Sequence, residues 1–85
     1  MPAKAVIIDR AEKKRLLRLP LHVHIRMIRA LEAIQENPII GIKLHGELEK
    51  NYKYRVGDYR IVYSFDSKRS VVNVVKIEHR QGVYK

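Results

Sequence analysis

Apolar positions recur at helical steps in the first half of this chain and at alternating steps in the second, which divides it into a helical part and a sheet part. Ala3 to Ile8 reads as a strand. Asp9 then offers an N-cap, and Glu12 completes a capping box, predicting a helix over Arg10 to Leu17. Leu19-Pro20 ends it, because proline disfavours the helical conformation in the residue before it. Pro20 opens a second helix in which Leu21, Ile25, Ile28, Leu31 and Ile34 form an apolar stripe, closed by Asn37-Pro38. In the loop PIIGIKLHGELEKN, Ile40, Ile42 and Leu44 can pack while Gly41 and Gly46 permit bends.

From Tyr52 the alternation takes over. YKYRVGDYRIVYSF reads as a hairpin turning at Gly57-Asp58, Asp66 to Ser70 as a polar turn, and VVNVVKIE as a further β-branched strand. This order predicts an α+β fold in which a helical layer covers one face of a mainly antiparallel sheet. Tyr54, Val56, Tyr59, Ile61, Tyr63 and Phe65 should face the helices, while Lys53, Arg55 and Arg60 point the other way. If Gly57 and Asp58 form the whole turn, Arg55 lies directly opposite Arg60, and like charges facing across a ladder destabilise it.

Composition narrows the partners. The 85 residues bound one domain, 1–85, and 46% hydrophobic with 32% charged residues describes a globular, heavily charged chain. A net charge of +9 and a pI near 10.1 call for a polyanion: nucleic acid, an anionic membrane or an acidic protein. A membrane is the weakest of the three, since no apolar run approaches the roughly 20 residues of a span. The opening MPAKAVIIDR lacks the h-region and cleavage site of a signal peptide, so a cytoplasmic location is expected. Cysteine is absent, which excludes disulfides and thiolate metal ligands.

Three cations on one sheet face can clamp a phosphate or a phosphorane-like transition state, or can splay apart into water. Arg80 and Tyr84 would join them if the tail HRQGVYK folds back across the sheet. Tyr84 could stack on a base, exchange a proton or simply plug the core edge. His22 and His24 face different directions and His45 has no obvious partner. His79 adjoins Arg80, and imidazole as a side-chain type suits acid-base work, though an ordinary strand-end residue is an equal reading. Arg10, Lys13, Lys14 and Arg18 share a face of the first helix, which is either solvated or docks on nucleic-acid backbone. No P-loop, Rossmann fingerprint, nucleophile elbow or zinc pattern occurs.

The segment KLHGELEKNYKYRVGDYRIVYSFD, followed by VVKIEHRQGVYK, resembles the RelE/ParE toxin superfamily, and more its RelE branch. The resemblance spans essentially the whole chain, and its specific part is Lys43 to Tyr84. It implies a RelE-like fold and a toxin of a type II toxin-antitoxin system that enters the ribosomal A site and cleaves messenger RNA. The implied activity needs no metal or other cofactor: the ribose 2′-OH attacks the adjacent phosphate, leaving a 2′,3′-cyclic phosphate and a free 5′-OH. By position, Arg60 and Arg80 would clamp the phosphate, Lys53 would be a base assisted by Arg55, and Tyr84 would stack or transfer a proton. Arg55 stands where many relatives have lysine, and guanidinium is a poor base, so His79 is an alternative for proton transfer.

Lys43 joins the helical cations as an RNA-binding candidate. The implied partners are a cognate antitoxin with an acidic segment, the ribosome and messenger RNA, and operator DNA only through the antitoxin complex. Two other readings remain open, a ParE-like inhibitor of DNA gyrase and a non-catalytic RNA-binding homologue. The ParE branch generally lacks the full set of Lys53, Arg55, Arg60, Arg80 and Tyr84.

Overall fold

The computed structural model describes residues 2–44 and 50–79. Its elements are β1 (Ala5–Ile8), α1 (Arg10–Leu17), α2 (Leu21–Glu36), β2 (Ile42–Lys43), β3 (Asn51–Val56), β4 (Tyr59–Asp66) and β5 (Val71–His79). The strands form one sheet in the order β1-β5-β4-β3-β2, with β1 parallel to β5 and the other neighbours antiparallel. Both helices pack on one face, where Leu16, Met27, Leu31 and Ile34 meet Ile61, Tyr63, Val72 and Ile77 in the core. The α+β layering expected from the sequence is the architecture found.

Local chemistry explains α1, with one correction. Asp9 accepts the Glu12 N–H at 2.9 Å, as an N-cap should. Glu12 does not return the bond and so does not complete a capping box. Its side chain is buried, and Oε1 accepts the Ile77 N–H at 2.7 Å. The cause lies in the sheet, because β1 pairs with β5 only from Val71 to Val74. Beyond that point α1 takes the place of a strand: Glu12 accepts from Ile77 N–H, and Arg15 donates to the Ile77 carbonyl at 3.1 Å.

The α2 stripe is also corrected. Leu31 and Ile34 are buried, but Leu21, Ile25 and Ile28 are exposed, and Met27 and Ala30 occupy the core instead. Residues 27, 30, 31 and 34 also recur at helical steps, so the sequence holds two overlapping apolar stripes. A helix lying on one face of a sheet buries only one of them. In the following segment Ile40 and Ile42 are exposed rather than packed, and the expected loop contains the short strand β2. The expected bend at Gly46 lies outside the described residues.

Gly41 is required for close approach. A Cβ there would stand 2.7 Å from the Lys53 carbonyl oxygen and 2.8 Å from the Tyr63 hydroxyl. Its own N–H donates to that hydroxyl at 3.0 Å. Tyr63 is fully buried, and burial pushes its phenol above the ordinary value of 10.0, with the Gly41 bond opposing and Tyr52 and Tyr54 adding to the rise. Above that value the unfolded chain loses the proton first, so it binds fewer protons than the fold and stability falls as pH rises. Urea unfolding at about pH 8 and about pH 11 should therefore show a steeper alkaline loss in wild type than in Tyr63→Phe. Parallel losses would contradict this role for Tyr63.

The hairpin register places Arg55 opposite Arg60, with Val56 paired to Tyr59. Gly57 has φ of 60°, and Asp58 is not among the described residues with positive φ. A positive φ at the first turn residue alone is the pattern of a type II′ turn. Between β4 and β5 the register shifts after Val62, which pairs with Lys76 while Tyr63 pairs with Val74. Val75 is the extra residue of this bulge.

Candidate functional site

The face of the sheet away from the helices carries two rows of side chains. One row is Lys53, Val62 and Lys76, and the next is Arg55, Arg60 and Glu78, each row crossing β3, β4 and β5. Lys76 and Glu78 were missing from the sequence reading, since their alignment depends on the bulge at Val75. Counting back from the strand end would have found Glu78, because strict alternation puts it on the face opposite Ile77.

Glu78 resolves the apparent clash of arginines. Arg60 leans onto it, with Nη2 at 3.1 Å from Oε2, and Lys76 Nζ stands 3.9 Å from Oε1. Arg55 turns the other way, its Nε donating to the Gly57 carbonyl at 3.1 Å. The expected clamp of Lys53, Arg55 and Arg60 is therefore not what the side chains form. Instead Arg60 and Lys76 pair with Glu78, and Lys53 stands in the adjoining row beside the buried Val62. Arg60 Nε is buried and has no hydrogen-bond partner among the described residues. Such a donor is costly unless something accepts from it.

Other candidates lie elsewhere. His79 pairs with Tyr59, and their rings meet edge to face at 4.7 Å. That puts His79 on the helix-side face, away from Arg60. Arg10, Lys13, Lys14 and Arg18 are exposed on the helical layer, and Lys43 pairs with Tyr52 on the helix side of the sheet edge. Arg80, Tyr84, His45 and the return of the tail lie outside the described residues. His24 Nδ1 is 3.0 Å from the Leu16 carbonyl oxygen, and His22 is exposed. Among the described residues no three His, Cys, Asp or Glu side chains gather as a metal site would require. The outer face thus combines anion-binding cations with one carboxylate able to accept a proton.

A family model described as "ParE toxin of type II toxin-antitoxin system, parDE" matches residues 6–84. The chain belongs to the RelE/ParE toxin superfamily. No curated protein matches the toxin in sequence. Among solved structures it is similar to the toxin-antitoxin complex RelBE2 from Mycobacterium tuberculosis, with a TM-score of 0.82 and 24% identity over 94% of this chain and 100% of that one. It is also similar to the archaeal RelE-RelB complex from Pyrococcus horikoshii, with a TM-score of 0.75 and 26% identity over 94% of this chain and 97% of that one. For the isolated RelE toxin of E. coli the TM-score is 0.77 and identity 26%, over 87% and 81% of the two chains. Among the described residues of the toxin no helix is long and apolar enough to cross a membrane.

Proposed function

We propose that the toxin is a cytoplasmic, ribosome-dependent endoribonuclease of messenger RNA, acting as a single domain over 1–85. The observation that carries this reading is Arg60, whose Nε lacks an acceptor among the described residues while Glu78 holds its guanidinium on the outer face, next to the row of Lys53 and Lys76. A scissile phosphate placed there would accept from Arg60 and be flanked by the two lysines. In the reaction a base takes the 2′-OH proton, the 2′-oxygen bonds to phosphorus, and the bond from phosphorus to the 5′-oxygen breaks. The leaving oxygen takes up a proton, giving a 2′,3′-cyclic phosphate and a 5′-OH. Lys53 and Glu78 are the candidate acceptors on this face, and the cations stabilise the pentacovalent charge. Arg55, turned to the hairpin end, assists electrostatically, and Arg80 and Tyr84 complete the site as a second clamp and a stacking or proton-donating group.

The partner in this reading is a cognate antitoxin, with operator DNA bound only through their complex. The M. tuberculosis and P. horikoshii relatives are complexes with such antitoxins. Exposed Leu21, Ile25 and Ile28 along one side of α2, with Leu17 at the end of α1, offer apolar surface that a partner would cover. A second reading, inhibition of DNA gyrase by binding alone, is favoured by the ParE description of the matching family. Brief induction followed by mapping of messenger 5′ ends separates the two. New ends within translated codons are expected; gyrase supercoiling inhibited by purified toxin, with no new ends, would establish the second reading instead.

A further inference from the structure

Past the row of Lys53, Val62 and Lys76, the outer face continues into a third row. Ser64 lies between the buried Tyr63 and the core-packed Phe65, and Asn73 between the buried Val72 and Val74, so alternation turns both outward. Ser64 pairs with Asn51 on β3 and with Asn73 on β5, and Asn73 pairs in turn with Ile7 on β1. Asn51, Ser64 and Asn73 thus cross three strands about 7 Å along the sheet from the lysine row. Asparagine is depleted from strands, because its amide competes for the backbone groups of the ladder. Yet Asn73 stands where β5 is paired on both edges. Among the described residues no hydrogen bond engages the side chains of Asn51, Ser64 or Asn73, so the fold supplies no structural reason for them. Their apolar neighbours are open too: Ile7 is 53% exposed, and Val75, two residues along the strand from Asn73, is 48% exposed.

A nucleotide presents a charged phosphate, an apolar base face and a polar base edge. The outer face offers a partner for each. Arg60, Lys53 and Lys76 suit the phosphate, Ile7 and Val75 the face of the base, and the unengaged amides and hydroxyl of the third row its edge. We propose that this row reads the base of the nucleotide adjoining the phosphate at Arg60, with Asn73 selecting adenine. The inference rests on the outer face being the RNA site and adds what that site discriminates. A carboxamide holds an acceptor and a donor side by side, which matches the N6 amino group and N7 of adenine. Guanine presents two acceptors in the same place, so Asn73 distinguishes the purines as well as rejecting pyrimidines.

The test is an NMR titration of the labelled toxin with trinucleotides whose 2′-O-methyl riboses prevent cleavage. The middle base is adenine, guanine, cytosine or uracil, and uracil stands on either side. The expected result is that the side-chain amide signals of Asn73 shift with the adenine trinucleotide, which binds about tenfold more tightly than the all-uracil one. Asn73→Ala should abolish that difference while the affinity for the all-uracil trinucleotide stays, and Asn73→Thr, which supplies a strand-forming side chain without the amide, should do the same. Arg60→Ala should weaken all four equally. Circular dichroism melts show that each variant is folded. Equal binding of all four by wild type, or equal weakening of all four by Asn73→Ala, would overturn base reading; shifts at Arg60 and Lys76 would then still leave the outer face as the RNA site. Shifts confined to other surfaces would overturn that site and this inference together. Cleavage does not enter the measurement, so its absence in cells bears on the proposed function alone.

Discussion

Arg60→Ala should reduce messenger cleavage by about 10²- to 10³-fold, the loss typical of removing one donor aimed at a developing oxyanion. The fold should survive, because Arg60 lies on the open face and its main partner is Glu78 rather than the core. Glu78→Gln makes the sharper experiment. Removing the carboxylate that pairs with Arg60 and Lys76 makes the face more positive, so ribosome or RNA binding should tighten and depend more steeply on salt. If Glu78 is the base, cleavage falls despite the tighter binding, and the acid limb of the pH-rate profile disappears. If Glu78 only positions Arg60, the limb stays and the variant's rate falls without a change in profile shape. Undiminished cleavage by Arg60→Ala would remove the outer face from the mechanism altogether.

Much of this face could be read from the sequence, and the part that could not has a physical cause. Alternation in YKYRVGDYRIVYSF separates the aromatic side from Lys53, Arg55 and Arg60, and the two-residue turn makes Arg55 and Arg60 partners, as the register shows. What each charge does depends on the third strand. A bulge at Val75 decides that Glu78 and Lys76 share the face, and a bulge leaves little trace in a run of β-branched residues. The facing arginines that looked like a fault in two strands are relieved by Glu78 in the third, while the face as a whole stays cationic. The α2 stripe fails for a related reason: two apolar arcs satisfy the same period, and only docking against the sheet selects Met27 and Ala30 over Ile25 and Ile28.

The same dependence on tertiary context gives Glu12 a large part in stability that the sequence does not show. A sequence reader assigns it to the helix start, yet it reaches β5 and accepts the Ile77 N–H inside the protein. Glu12→Ala leaves that donor without an acceptor and removes a bond to a charged group, together costing about 3 kcal/mol. In a domain of this size that lowers the melting temperature by more than about 10 °C. Glu12→Gln keeps an acceptor oxygen in place and should cost about 1 kcal/mol. Arg15→Ala removes a bond at a part-buried rather than a buried site and so should cost less than Glu12→Ala, and the two effects should not add simply because both act on the backbone of Ile77. A Glu12→Ala melt indistinguishable from wild type would show that β5 holds its end without α1. The functional consequence follows from position: Ile77 immediately precedes Glu78, so the grip of α1 on one face of β5 sets the strand end that presents Glu78 to Arg60 on the other.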